Sequence, residues 1–159
     1  MRTTILITFL IIAISCNYSK SPSTSQQISN MKDSVKAMTD SIAKRVSSEG
    51  PMTWLNYFEN SPDFFMVNDG QLVFPNIDSA KNFVSNTLVK VYKIIALSWR
   101  NVRIVPVDPE FAVIAANYHE DATYSDGGKL STDGYFTALA HHTAQGWKLQ
   151  NVHWSSLTH

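Results

Sequence analysis

The chain is 159 residues long, 44% hydrophobic and 16% charged, the make-up of one globular domain rather than a disordered or fibrous segment. Thirteen basic and thirteen acidic residues cancel, and no Lys/Arg cluster extends beyond Lys44-Arg45, so the concentrated positive charge that a nucleic-acid partner needs is absent. The lone cysteine, Cys16, excludes an internal disulfide and any CxxC-type metal site.

In chain order, Arg2 precedes an apolar run over residues 5–14. That run is too short for a membrane span, which takes roughly 20 apolar residues, and has the length of a signal-peptide core. The tail Ala13-Ile14-Ser15-Cys16 resembles a bacterial lipoprotein box. The resemblance implies a signal peptide over residues 1–15, lipid on Cys16, and a membrane-anchored place in the cell envelope. Asn17, where an aspartate would favour inner-membrane retention, points by the same analogy to the outer membrane. Residues 16–27, rich in Ser, Thr and Pro, read as a flexible tether, and residues 28–159 as the domain.

Ile28, Met31, Val35, Met38, Ile42 and Val46 recur at spacings of three and four, which predicts one amphipathic helix stopped by Gly50-Pro51. A short second helix carries Trp54, Leu55, Tyr57 and Phe58. Asn68-Asp69-Gly70 between two apolar runs predicts a β-hairpin, because Asp-Gly accepts the positive φ of a tight turn. Asn76 or Asp78 can cap a third helix whose buried face is Ala80, Phe83, Val84, Thr87, Leu88 and Val91. Four β-rich stretches follow, with turns near Asp108-Pro109, Asp126-Gly127-Gly128 and Gln145-Gly146. Helices first and an antiparallel meander afterwards is an α+β arrangement.

This element order, together with the closing run from Gly146 to Ser155 that contains Trp147 and His153, resembles the nuclear transport factor 2-like superfamily. SnoaL-like and ketosteroid-isomerase-like proteins belong to it. The resemblance implies a cone-shaped α+β barrel, with three N-terminal helices packed on a strongly curved antiparallel sheet. It also implies one pocket for a small hydrophobic molecule, and a homodimer through the sheet's outer face. Because the superfamily holds isomerases, cyclases, dehydratases and non-catalytic binding domains, fold leaves function open.

Tight turns pairing Ser125 with Gly128 and Ala144 with Trp147 give a register. One face then carries Asn117, His119, Phe136, Asn151 and His153 among small apolar residues and is assigned to the pocket. The other carries Tyr118, Glu120, Tyr135 and Trp154 and is assigned to the dimer. A longer loop at either turn exchanges the two. The expected ligand-binding set is therefore Trp54, Tyr57, Trp99, Asn117, His119, Phe136, Asn151 and His153.

For acid–base chemistry the candidates are His153, His119 and Tyr57, with a His119–His153 or His141–Tyr118 pair as the proton-transfer unit. Glu120, Asp121 and Asp133 lie near the Asp126 turn, within reach of solvent, and do not match the pocket acids of ketosteroid isomerases. Without an HxH or HExxH spacing, a metal site from His119, His142 and His153 is not expected, and neither is a cofactor. The missing acid pair tips the reading towards a lipid-anchored envelope domain that binds a ligand or serves as a dimeric scaffold rather than an enzyme. The alternative is an isomerase, cyclase or dehydratase of SnoaL-like type using His/Tyr acid–base chemistry.

Overall fold

The computed structural model describes residues 24–157. Helix α1 spans Ser25–Glu49. Thr24 caps it, its hydroxyl accepting from the Gln27 N–H while the Gln27 side chain returns to the Thr24 N–H. Residues 24–27, expected as tether, thus cap and open this helix. The expected stripe is its buried face from Val35 onward, and Gly50 ends it at φ 90°, a left-handed conformation that favours glycine. The segment expected as a second helix is a 3-10 turn, Pro51–Asn56.

Strands β1 (Phe65–Asn68) and β2 (Gln71–Phe74) form the hairpin, turning on Asp69 and Gly70 at φ 47° and 78°. Asn76 and Ser79 make a capping box for α2 (Ile77–Phe83), which runs through a π-helical turn at Val84–Leu88 into α3 (Val89–Val91). Four long strands follow: β3 (Tyr92–Pro106), β4 (Phe111–Tyr124), β5 (Lys129–Thr143) and β6 (Gly146–Ser156).

The sheet order is β2-β1-β6-β5-β4-β3. Here the structure corrects the expected architecture. The chain is α+β, but its sheet is mixed and open, not a closed or strongly curled antiparallel cone. Strand β1 runs parallel to β6, joining the hairpin to the meander, while β2 and β3 stand at opposite edges without pairing. This long-range parallel seam has no local sequence signature.

The expected register is corrected as well. Tyr124 and Gly128 close the β4–β5 turn around Ser125, Asp126 and Gly127, with Gly127 at φ 88°. That longer loop slides β5 by one residue, so Tyr118 opposes Gly134 rather than Tyr135. At the other hairpin Thr143 pairs with Gly146, and an irregularity leaves Gln150 outside the ladder between Leu139↔Asn151 and Ala140↔Leu149. Since side chains alternate faces, each odd slip exchanges inside and outside.

The inner face consequently carries Ala112, Ile114, Ala116, Tyr118, Phe136, Ala138, Leu149, Val152 and Trp154, all buried. Helix α1 packs across β3 on this side, where Trp99 Nε1 donates to the Thr39 carbonyl at 2.9 Å and the Leu97 N–H donates to Ser47 Oγ at 2.8 Å. Trp154 is the aromatic hub: Trp54, Trp99, Tyr118 and Phe136 all lie with ring centroids 4.6–5.7 Å from it. The outer face exposes Phe65, Val113 and Tyr135.

Candidate active site

A cavity of about 560 Å³ lies where α1 gives way to smaller covering elements. The β1–β2 hairpin, the 3-10 turn, and α2 with its π-helical turn roof it; the far ends of β4, β5 and β6 floor it. Trp54, Phe58, Met66, Phe74, Phe83 and Trp154 make its walls mostly apolar. A π-helical turn widens the local backbone, and here it presents Val84 and Leu88 to the cavity.

Few polar groups interrupt these walls. Tyr118 and Glu120 stand two residues apart on β4, on the same face, and Ser156 closes β6 beside them. The Tyr118 ring meets Trp154 edge-on with centroids 4.6 Å apart. On its other side it lies against the Gly134 backbone, where an added Cβ would collide with the ring and with the Ser155 carbonyl. Its hydroxyl sits 3.4 Å from Ser156 Oγ.

Burial pushes the Tyr118 phenol up, partly offset by the Ser156 hydroxyl, and the nearby charges of Glu120, Asp69 and Asp133 push it the same way as burial. Burial alone pushes the Glu120 carboxyl above the usual carboxylate range. Among the described residues no hydrogen-bond donor or cation compensates it. A carboxyl desolvated without a partner holds its proton more tightly, and its anion is the stronger base. Among the described residues no Lys or Arg lines the cavity.

The residues expected as site residues are dispersed. Trp54 lines the cavity, while Trp99 and Phe136 pack beneath it around Trp154. Tyr57 is buried under α1 with its hydroxyl 2.7 Å from Ser41 Oγ. Asn117, His119, Asn151 and His153 occupy the outer face. Asn117 accepts from Asn101 at 3.2 Å, and His119 stands 3.3 Å from both Asp121 and Asp133. Asn151 donates to the Asp63 carbonyl at 3.0 Å, and His153 lies 3.5 Å from Thr137 Oγ1.

Strand β5 separates His119 on β4 from His153 on β6, and His141 bonds Glu59 at 2.9 Å rather than Tyr118. His142 meets the Trp147 ring at a tilt with centroids 5.0 Å apart, near the other end of β5. Sequence reasoning offers Tyr118 only as a partner of His141 and leaves Glu120 near solvent, because it assigns their face to the exterior. The available signal was the Asp126-Gly127-Gly128 run, which suits a longer loop as well as a tight one.

The sequence matches no protein-family model and no curated protein. In structure, the chain is similar to a nuclear transport factor 2-like superfamily protein from Salmonella enterica serovar Typhimurium LT2, at 19% identity and TM-score 0.65, covering 86% of this chain and 95% of that one. It is similar to a protein proposed to be a scytalone dehydratase from Novosphingobium aromaticivorans DSM 12444, at 10% identity and TM-score 0.73, covering 85% and 89%. A third is the hexachlorocyclohexane dehydrochlorinase LinA-type3 from Novosphingobium barchaimii LL02, at 9% identity and TM-score 0.67, covering 85% and 92%. The fold thus resembles the nuclear transport factor 2-like, SnoaL-like superfamily.

Two expectations are corrected by these findings. The leaning away from an enzyme is overturned: enzymes recur among the structures of this fold, and the cavity holds a carboxyl where none was expected. The membrane-anchored envelope location is not carried forward: the similar structures are named as enzymes and as a superfamily protein. No helix among the described residues is long and apolar enough to cross a membrane. Cys16 and the signal segment lie outside the described residues.

Proposed function

We propose that this chain is an acid–base enzyme that withdraws a proton from carbon on an uncharged, apolar small molecule, as an isomerase, cyclase or elimination catalyst does. Glu120 is the base: it takes the proton as the C–H bond breaks. The electron pair moves toward a carbonyl oxygen or a leaving group, and the Tyr118 hydroxyl meets the charge that develops there. In isomerisation Glu120 returns the proton to a second carbon. In elimination the leaving group departs with the electron pair. The names dehydrochlorinase and dehydratase among proteins of this fold describe such eliminations, which supports the reaction class.

The observation that carries this reading is the Glu120 carboxyl, which no described residue compensates, in a mostly apolar cavity two residues from a buried tyrosine. A carboxylate and a wall in which no described residue is a cation also disfavour anionic substrates.

Hydrogen–deuterium exchange at the α-carbon of small cyclic ketones in D2O tests the proposal without knowledge of the natural substrate. The wild-type chain is expected to accelerate exchange, and Glu120→Gln to lose the acceleration. Exchange that persists undiminished in Glu120→Gln would refute the assignment.

A further inference from the structure

Asp69 does more than close its turn. A hairpin tip needs positive φ, which asparagine or glycine supplies as well as aspartate. Yet both Asp69 carboxylate oxygens are directed to one residue at the end of the neighbouring strand β6. The Ser156 N–H donates to Oδ1 at 2.7 Å, and the Ser156 hydroxyl donates to Oδ2 at 3.2 Å. The Asp69 N–H donates in turn to the Trp154 carbonyl at 3.0 Å, fixing the tip against the end of β6. From Ser156 Oγ the chain of contacts continues to the Tyr118 hydroxyl at 3.4 Å. Asp69 is exposed at one end of this row, and Tyr118 is buried at the other.

We propose that Asp69 and Ser156 are positioning residues for Tyr118, forming a hydrogen-bonded relay that orients its hydroxyl and exchanges its proton with solvent at the hairpin tip. The proposal rests on the acid–base reading of the cavity. The proton balance is simple. When Tyr118 yields its proton to a substrate oxygen, the Ser156 hydroxyl proton replaces it. Ser156 takes a proton from solvent water at the Asp69 carboxylate in the same concerted movement, so one solvent proton enters for each one delivered. The 3.4 Å step tightens as charge develops on the tyrosine oxygen.

The groups whose charge reaches Tyr118 are Glu120 on its own strand, Asp69 on the hairpin and Asp133 on β5; Asp133 is itself held by Arg100 and His119. Of the three, only Asp69 is linked to the phenol through a hydroxyl. Removing its charge makes the phenolate easier to form. The one Ser156 hydroxyl proton is directed at Asp69 while Tyr118 is neutral and turns to the phenolate when Tyr118 ionises, so removing the Ser156 hydroxyl acts in the opposite sense.

Ultraviolet titration of the phenolate band in the full chain, with Tyr118→Phe subtracted, isolates the Tyr118 titration. Asp69→Asn is expected to move it to lower pH and Ser156→Ala to higher pH. The alkaline limb of the ketone exchange profile should follow each shift. Asparagine tolerates the positive φ, and Asp69→Gly, which suits the turn still better, should reproduce the downward shift. An unmoved titration in both Asp69 variants would overturn the relay and leave Asp69 as a turn residue. Failure of the acid–base reading itself shows separately, as exchange that survives Glu120→Gln; the titration decides the relay in either case.

Discussion

The two faces of β4 treat their ionisable groups in opposite ways. On the outer face, His119 sits between Asp121 and Asp133, and Arg100 bonds Asp133, so each charge has a nearby opposite. On the inner face, Glu120 stands in an apolar cavity and no described residue compensates it. A network of half-exposed pairs is ordinary surface chemistry and contributes little stability. A desolvated carboxyl without a partner costs stability, and such groups cluster at functional sites. The contrast teaches where to look: the four other candidates on the sheet's outer surface have partners, while the residue left without one lies two positions from Tyr118.

The contrast breaks most sharply at Glu120. Glu120→Gln keeps the shape and removes the base, so catalysed exchange is expected to fall by about 10²–10⁴-fold, the usual share of a positioned general base. Steady-state kinetics on any ketone the wild type turns over would measure it. Gly134→Ala probes the Tyr118 seat next. Its methyl group would force the Tyr118 ring and the Ser155 carbonyl apart, which should cost roughly 1–3 kcal/mol in denaturant melts and misplace the phenol hydroxyl.

A third prediction concerns pH and stability. Burial raises the folded-state affinity of Glu120 for its proton, so the native state binds more protons than the unfolded state between the unfolded carboxyl range and the raised folded value. Its contribution is therefore fully present at low pH and is lost as pH rises through the raised folded value. Glu120→Gln should abolish this decline, giving a flatter profile and higher stability at neutral pH, read by chemical denaturation across pH. The smallest effect is expected on the outer face. His119→Gln should change stability by less than about 1 kcal/mol and leave ketone exchange intact, because its pairs are partly exposed and screened.

What the sequence made legible was local. The stripe of α1 and its stop at Gly50-Pro51 follow from helical periodicity and one left-handed glycine. The Asp69-Gly70 hairpin and the Asn76 cap follow from short-range turn chemistry. What stayed hidden depended on distant pairing or on a single-residue slip. The β1–β6 parallel seam, which leaves the sheet open, joins segments from opposite ends of the domain. The extra loop residue before Gly128 and the displaced Gln150 each reverse a face. Together they carried Asn117, His119, Asn151 and His153 outward and brought Tyr118 and Glu120 inward. Trp54, Trp99 and Phe136 stayed on the inner side, where apolar bulk alone demands burial.

The central claim is that Glu120 is a desolvated, uncompensated carboxyl. A carbon-detected NMR titration of the glutamate side-chain carboxyls, assigned by comparison with Glu120→Gln, tests it directly. The predicted result is a Glu120 midpoint clearly above the ordinary value of 4.5, with that of Glu49, held by Arg45, below it. A Glu120 midpoint at or under that value would mean that the group is solvated or paired, and would contradict the account.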